Sequence, residues 1–406
     1  MQCDVLVVGA GPAGSALANQ LARAGFDVVL TDRKAFPREK PCGEFLSPEC
    51  TPYLAALDLQ EPLAALGPRL VRGMSLHGHG VQALGRFRPV GAHGATAASG
   101  FGIRRTRFDQ LLLDAAVCAG VRWLPRHDCL ALQRDQRGRV VGAELRDAAG
   151  APQAWRARWV VGADGVHSRV ARALGVQRPT PWLDQFALVA HYADVAPRAT
   201  AEVHLFPGGF FAATTVDASV FSVNLIVPRR TLRDRGSADW DQFVAGHFDR
   251  APAFGQRLAG SRRTTPWRGI GPLAYTTRRQ VFAGAALVGD ACGYVDPLTG
   301  EGIYFALFGA RALAEALGAA LHDPARAPVA LAAYARRRRR EVGPRLWAAA
   351  ALQRALRHPW LVRAFLQRAA RWPALADLMV TLTGDAVHPR DLLRPSFWRC
   401  FRAATP

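Results

Sequence analysis

The chain has 406 residues, half of them hydrophobic and 21% charged, which is enough for two domains with sizeable cores. No apolar run reaches the roughly eighteen residues of a membrane span, and the N-terminal apolar run starts at once without a basic leader, so a soluble, globular, cytoplasmic protein is expected. The formal net charge is +20, and all but Lys34 and Lys40 of the 52 basic residues are arginine; without a zinc finger or an aromatic RNP stripe, this bias predicts no nucleic-acid partner.

The first element is the apolar run from Val5 to Val8, which stops in three glycines, Gly9, Gly11 and Gly14. That pattern predicts a buried strand turning into a helix over Ser15 to Ala24. Gly9 allows the tight turn, Gly11 lets the backbone approach a pyrophosphate, and Gly14 lets the helix pack on the strand. Pro12 and Ala13 lie between them, so a dinucleotide's phosphates would sit at the helix N-terminus. A second strand, Asp27 to Leu30, leads to Asp32, eighteen positions past Gly14, near the spacing at which a carboxylate meets ribose hydroxyls.

The loop that follows, with Arg33, Lys34, Pro37, Lys40, Pro41, Cys42, Gly43 and Glu44, is too rich in proline and charge for a regular element. Its basic start, Arg33 included, would lie along the adenosine end of a cofactor. Cys42, Gly43 and Glu44 would reach toward the reactive end, a solvated loop being the alternative. Residues 50–66 read as helix and 70–102 as short strands broken by glycine. Ile103 to Asp109 opens a helix in which Leu111, Leu112, Ala115 and Ala116 recur at helical spacing. Strands follow at Val121 to Leu124, Cys129 to Arg134 and Val140 to Asp147, the last two joined at Arg137 and Gly138.

A second strand-to-helix turn runs from Trp159 through Gly162, Ala163, Asp164 and Gly165 into a helix over Ser168 to Leu174. Asp164 can accept from ribose or order the loop for a second nucleotide's phosphates; a purely structural turn is the alternative. Residues 180–270 change character, with β-branched and aromatic runs at 185–192, 200–206, 210–216 and 219–227. In the last, Phe221, Val223, Leu225 and Val227 alternate with Ser222, Asn224 and Ile226, which predicts an antiparallel sheet with one covered face. His204, Phe206, Phe210 and Phe211 are the candidate lining of a pocket for a hydrophobic small molecule.

A third glycine-dense stretch follows an apolar strand: Gly289, Asp290, Tyr294, Pro297, Gly300, Gly302 and Ile303, with a long helix from near Gly302. Backbone N–H groups at Gly300 and Gly302, with the helix N-terminus, suit an anion such as a reduced flavin ring or a pyrophosphate. Beyond residue 330 the chain reads as helical and basic. Leu361, Phe365, Ala369 and Trp372 share one helical face opposite Arg363, Gln367 and Arg371, a pattern compatible with an anionic membrane surface or with packing on the main body. The Pro395 to Phe401 tail adds apolar residues. Seven scattered cysteines without a Cys-x-x-Cys pair predict neither a zinc site nor a disulfide framework, and no metal site is expected.

Taken together, the three turns resemble the flavoprotein hydroxylase superfamily, the para-hydroxybenzoate hydroxylase fold. This resemblance implies an α/β architecture: a Rossmann-type FAD-binding domain (1–70, 101–178 and 275–330) interleaved with an antiparallel-sheet substrate domain (71–100 and 179–274). The C-terminal basic helical region, 331–406, follows. It also implies that Gly9, Gly11, Gly14 and Asp32 hold the ADP part of FAD, and that Arg105 lies near its phosphates or ribitol. Gly162, Asp164 and Gly165 would be shared with NAD(P)H, a transient electron donor. Gly289, Asp290, Pro297, Gly300, Gly302 and Ile303 would hold the ribitol and flavin ring.

Lys40-Pro41-Cys42-Gly43-Glu44 and the stretch from Gly289 to Ile303 are similar to the geranylgeranyl reductase branch. Its Tyr-x-Trp-x-Phe-Pro motif is replaced here by Gly209 to Val216, and the halogenases' Trp-x-Trp-x-Ile-Pro does not occur. The expected activity is therefore an NAD(P)H-dependent monooxygenase acting on a hydrophobic, aromatic or polyketide-like compound, with oxygen carried as a flavin C4a-hydroperoxide. Cys42, Glu44 and Tyr294 are candidates for the reactive face. Reduction of carbon–carbon double bonds is the alternative, followed by halogenation and by a basic protein that keeps the nucleotide fold only as scaffold.

Overall fold

The computed structural model describes residues 1–88, 99–236, 239–295, 297–383, 388, 390 and 392. Residues 89–98 of the expected sheet domain, Cys400 and the Pro395 to Phe401 tail lie outside the described residues.

The chain opens with β1 (Gln2–Val8), α1 (Pro12–Arg23) and β2 (Val28–Asp32). β3 (Gly73–Gly78) and β4 (Val81–Arg86) form a hairpin. α2 (Arg105–Cys118) is followed by β5 (Arg122–Pro125), β6 (Asp128–Arg134), β7 (Val140–Arg146), β8 (Pro152–Gly162) and the short α3 (Arg169–Ala173). Next come β9 (Gln185–Ala193), β10 (Ala201–Phe206), β11 (Gly209–Val216) and β12 (Val220–Pro228), then α4 (Trp240–Ala245) and α5 (Pro252–Arg257). β13 (Ala285–Leu287) precedes α6 (Gly302–His322), α7 (Ala327–Ala355), α8 (Pro359–Arg371) and α9 (Pro373–Thr383).

Two large sheets are interleaved along the chain. In the first, β13, β8, β1, β2 and β5 lie side by side and parallel, and β7 and β6 extend it from β8 as an antiparallel meander. Val5, Leu6 and Val7 are fully buried in β1, as expected for a parallel strand covered on both faces. One face packs on α1, α2 and α6; the other meets the meander and α3. In the second sheet β9, β12, β11 and β10 are antiparallel, while β10 pairs parallel with β3. Its strands come from 73–86, 185–228 and 262–270, so each sheet is discontinuous in sequence, as the resemblance implies.

The helix expected over 50–66 is broken into Thr51–Ala55 and Gln60–Ala65, with Asp58 at φ +59° between them, a conformation no helix interior tolerates. The C-terminal helices are not a separate unit: α7 packs on α6, and α8 and α9 pack on β3 and β4. On α8 the buried residues are Val362, Leu366 and Ala369, which meet Ala83 of β4 and Ala376 of α9. The expected apolar face is thus rotated by one residue, and Trp372 is left outside. α6 is long and apolar enough to cross a membrane, yet most of it is buried in the first core against α1 and α7.

Candidate active site

The turn after β1 is built on steric necessity. Gly9 has φ +107°, and a Cβ there would lie 2.5 Å from the carbonyl oxygen of Ala163. A Cβ on Gly14 would lie 1.8 Å from the carbonyl oxygen of Gly9, so strand and helix meet without space for any side chain. Gly11 is the N-cap of α1, Pro12 begins the helix, and the first turn has neither an acidic residue nor a side-chain cap. Its N–H groups are available to an anion.

Asp32, at the end of β2, accepts from the Ala10 N–H at 3.1 Å and the Lys34 N–H at 3.0 Å. Arg38 enters the same place: its Nε lies 3.5 Å from Asp32 and its Nη1 3.4 Å from Asp109. The Nε is buried without a hydrogen bond, and Nη2 lies 3.5 Å from the Cβ position of Gly11. An under-satisfied guanidinium beside a bare helix N-terminus and a carboxylate matches the phosphate and ribose of a dinucleotide. Arg33 is exposed beside it. Arg38 carried no sequence signal, since a loop arginine follows no period.

The three turns converge. Ala163 of the second touches Gly9, and Ala13 of the first lies 2.7 Å from the Cβ position of Gly289 in the third. The Asp164 carboxylate is spent on its own loop: it accepts from the Ser168 hydroxyl at 2.6 Å and from the Arg169 N–H at 2.7 Å at the start of α3. Lys40 stands between the second and third turns, its Nζ 3.5 Å from the Cβ position of Gly165. Burial lowers the Lys40 pKa against the attraction of Asp290, and burial raises that of Asp290 against the attraction of Lys40 and Arg105. The Tyr275 hydroxyl meets the carbonyls of Asp290 and Gly165. Lys40 is therefore a site residue that its loop position alone did not single out.

Arg105 is buried and makes two hydrogen bonds to Asp109, at 2.7 and 2.8 Å. Burial works against its charge, but Asp109 and Cys42 hold its pKa above the usual value. Cys42 accepts from the Glu44 N–H at 3.4 Å. Glu44, expected at the reactive face, is directed elsewhere: its carboxylate accepts from the Arg105 N–H at 3.0 Å and meets His191 Nε2 at 2.7 Å, where the two sheets join. It is Phe45 that packs on Gly300, 2.9 Å from that residue's Cβ position. Gly302 and Ile303 start α6, with the Tyr294 ring 3.7 Å from the Cβ position of Gly302, while Gly43 and Pro297 lie beside their loops, Gly43 exposed and Pro297 half-buried.

The second sheet presents one face to this loop. Ala187, Val203, Phe210 and Ile226 form an apolar wall there, packed with Tyr294 and Leu298. His204, Phe206 and Phe211, expected in the pocket beside Phe210, lie on the opposite face, because strand side chains alternate. Phe206 and Phe211 are core residues with Val244 of α4 and Phe254 of α5, and His204 packs on Phe254 at 4.7 Å. His204 also belongs to a cluster with His77 and Glu202 whose candidate ligand atoms lie within 4.8 Å of one another. Glu202 is already ion-paired with Arg198 and Arg257, so two cations stand where a metal would need none.

A buried network behind the Gly300 loop was not legible in the sequence. Arg345 of α7 lies 3.1 Å from Glu341, 3.4 Å from Glu49 and 3.9 Å from Glu301, the N-cap of α6, and its guanidinium sits 4.8 Å over the Tyr304 ring. Tyr304 donates to Glu341 at 2.8 Å. The basic C-terminal region thus reaches the loop that shapes the site.

A family model described as FAD binding domain matches residues 2–349. Digeranylgeranylglycerophospholipid reductase 2 of Methanopyrus kandleri is 30% identical over 336 residues, covering 80% of this chain and 78% of the relative. The menaquinone reductase of Mycobacterium tuberculosis is 30% identical over 346 residues, covering 77% of this chain and 76% of the relative. Among solved structures, the myxobacterial FAD-dependent chondrochloren halogenase superposes with a TM-score of 0.80 at 26% identity, covering 86% of this chain and 82% of that one.

Proposed function

The chain belongs to the FAD binding domain family, which makes it an FAD-dependent oxidoreductase, and from that premise we propose that it reduces a carbon–carbon double bond in a hydrophobic, lipid-like compound with NAD(P)H as electron donor. The observation that carries the reading is the apolar wall of Ala187, Val203, Phe210 and Ile226 packed on Tyr294 and Leu298 of the Gly289 to Gly302 loop. Such a wall binds by area rather than by polar groups, at about 25 cal/mol per Å² buried. The relatives named as reductases of prenylated lipid and of menaquinone support it, as does the likeness of the Lys40 to Glu44 loop to the reductase branch.

Bound FAD supplies the electron transfer. Asp32, Arg38 and the N-terminus of α1 would hold its ADP part, and the Gly300 and Gly302 amides with the α6 N-terminus would hold negative charge on its far end. Lys40 and Asp290 lie buried between the two, each attracting the other's charge against its burial. The apolar wall excludes water from the reacting atoms. A cleft of about 410 Å³ beside the Asp164 turn, lined by His167, Arg172 and Gln177 among others, is where NAD(P)H would approach.

Oxygen-dependent chemistry is the second reading, as monooxygenation or halogenation. It is favoured by the likeness to the chondrochloren halogenase and by the small Ala212 and Ala213 on β11, where the reductase branch has a bulky motif. Turnover of a prenylated quinone with NAD(P)H in the absence of oxygen decides between them. A product two hydrogens heavier in its prenyl chain, after the ring has been reoxidised to the quinone, supports reduction of a carbon–carbon double bond. A strict need for oxygen overturns it, and dependence of that product on added halide separates halogenation from hydroxylation.

A further inference from the structure

Three tryptophans stand in solvent on the C-terminal helices: Trp347 of α7 is 75% exposed, Trp360 of α8 68%, and Trp372, which caps α8, 57%. Their neighbours are arginines. With Val362, Leu366 and Ala369 turned inward, the 3.6-residue period puts Trp360, Arg363, Gln367 and Arg371 on the outward face of α8, and all four are exposed. The guanidinium of Arg368 lies 5.0 Å over the Trp372 ring. On α7 the exposed Arg336, Arg340, Trp347 and Arg354 fall on one stripe by the same period.

Residues 327–383 contain eleven arginines and two carboxylates, Glu341 and Asp377. Neither carboxylate offsets the outward arginines. Asp377 is buried against Arg88 and the Arg86 N–H, and Glu341 serves Tyr304 and Arg345. Arg337 is paired with Glu315 and Arg345 is buried among carboxylates, but among the described residues the outward arginines of α8 have no acidic partner, and indole rings stand at both ends of that helix.

We propose that the outward face of α8, continued by the stripe on α7, docks the protein on the headgroup layer of an anionic phospholipid bilayer. Arginines would meet lipid phosphates, while Trp360 and Trp372 would enter the interface with their amphipathic rings. A bilayer fits better than a nucleic acid because of what lies beneath α8. Leu76 and Leu205 pack both on the inner face of α8 and on the apolar cluster around Phe210. The helix that meets the lipid is thus separated by only Leu76 and Leu205 from the apolar cluster that packs on the Gly289 to Gly302 loop. Delivery of a membrane-dissolved substrate past them rests on the reading above; the docking itself does not.

The test uses the full-length, FAD-loaded protein without substrate, sedimented with phosphatidylcholine vesicles that contain or lack phosphatidylglycerol. Sedimentation with the anionic vesicles alone, weakened by salt, is expected. Arg363→Glu with Arg371→Glu should lower partition about tenfold or more, and Trp360→Ala with Trp372→Ala should lower it at unchanged charge. Arg137→Glu, on the exposed β6–β7 turn, should have no such effect. Retained FAD absorbance and melting temperature show that each variant is folded. Equal sedimentation with neutral vesicles, no sedimentation, or equal loss in Arg137→Glu overturns the proposal. Tight binding of a random-sequence RNA, abolished by the arginine substitutions where vesicle binding is absent, reassigns the surface to nucleic acid.

Discussion

Glu44 Oε2 and His191 Nε2 lie 2.7 Å apart in the seam between the two sheets, and the other oxygen of Glu44 accepts from the Arg105 N–H at 3.0 Å. One carboxylate therefore ties the loop after β2 to α2 and to β9. Burial would lower the His191 pKa, but the hydrogen bond and charge of Glu44 raise it above its ordinary 6.5. A raised histidine pKa means stability that is complete below about pH 6.5 and is lost as pH rises through the folded-state value. Urea unfolding of the FAD-loaded protein over a pH series should show that decline. Glu44→Gln should flatten it and cost about 1–3 kcal/mol; a decline of equal slope in both proteins would exclude the pair as its source.

Glu301 should produce a slope from a different position. Arg345 is one cation facing Glu341, Glu49 and Glu301, and burial pushes the Glu301 carboxyl from 4.5 up to about 7 despite Arg345 and the Thr299 hydroxyl. The unfolded chain then releases this proton before the folded one, so stability falls as pH rises from about 4.5 to about 7. Glu301→Gln should remove that part of the slope and raise the melting temperature at about pH 8. Arg345→Met, which strands the carboxylates, should cost about 3–5 kcal/mol.

At the first turn the expected effect is on cofactor binding. A methyl on Gly14 meets the Gly9 carbonyl oxygen at 1.8 Å, which must push α1 away from the strand. Gly14→Ala should weaken FAD binding about tenfold or more, the loss of one hydrogen bond to a charged group. Gly343→Ala, whose Cβ meets nothing within 4 Å, should leave it unchanged. Fluorescence titration of the apoprotein with FAD measures both.

Neighbouring phenylalanines should behave differently. Phe211 is fully buried among Phe206, Phe248 and Phe254, so Phe211→Ala should cost about 3–5 kcal/mol with KM preserved in the protein that remains folded. Phe210 faces the site, so Phe210→Ala should raise KM for a hydrophobic substrate severalfold, since a buried aromatic side chain contributes about 1.5–3 kcal/mol. Equal KM values in the two variants would remove Phe210 from the substrate wall.

Local rules sufficed for much of this molecule. A strand that must end in a phosphate turn needs glycine where a Cβ would strike backbone, and Gly9 and Gly14 announce that requirement without any partner in view. The alternation from Phe221 to Val227 likewise separated the two side-chain sets of β12, but both faces are covered rather than one: Phe221, Val223, Leu225 and Val227 pack with α4 and α5, and Ile226 packs in the apolar wall. Arg38, Lys40, His191 and Arg345 had no such signature. Each acquires its role from a group far away in the chain, and no local period encodes such a distance.

Strand alternation could separate Phe210 from Phe211 in the sequence, but only the packing of α4 and α5 on one side and of the Gly289 to Gly302 loop on the other decided which of the two meets the site. The same holds for α8, where the apolar residues indicated an amphipathic helix and the docking of Leu366 against the second sheet determined which face stayed in solvent. The sequence by itself determined a dinucleotide turn and the two sheets, since both follow from backbone geometry and hydrophobic period, and the resemblance of its three turns implied FAD. Tertiary structure decided which charges are paired, which aromatic ring packs on the Gly289 to Gly302 loop and which arginines of the described residues stay exposed, because these depend on desolvation and proximity, and both arise only when distant segments pack together.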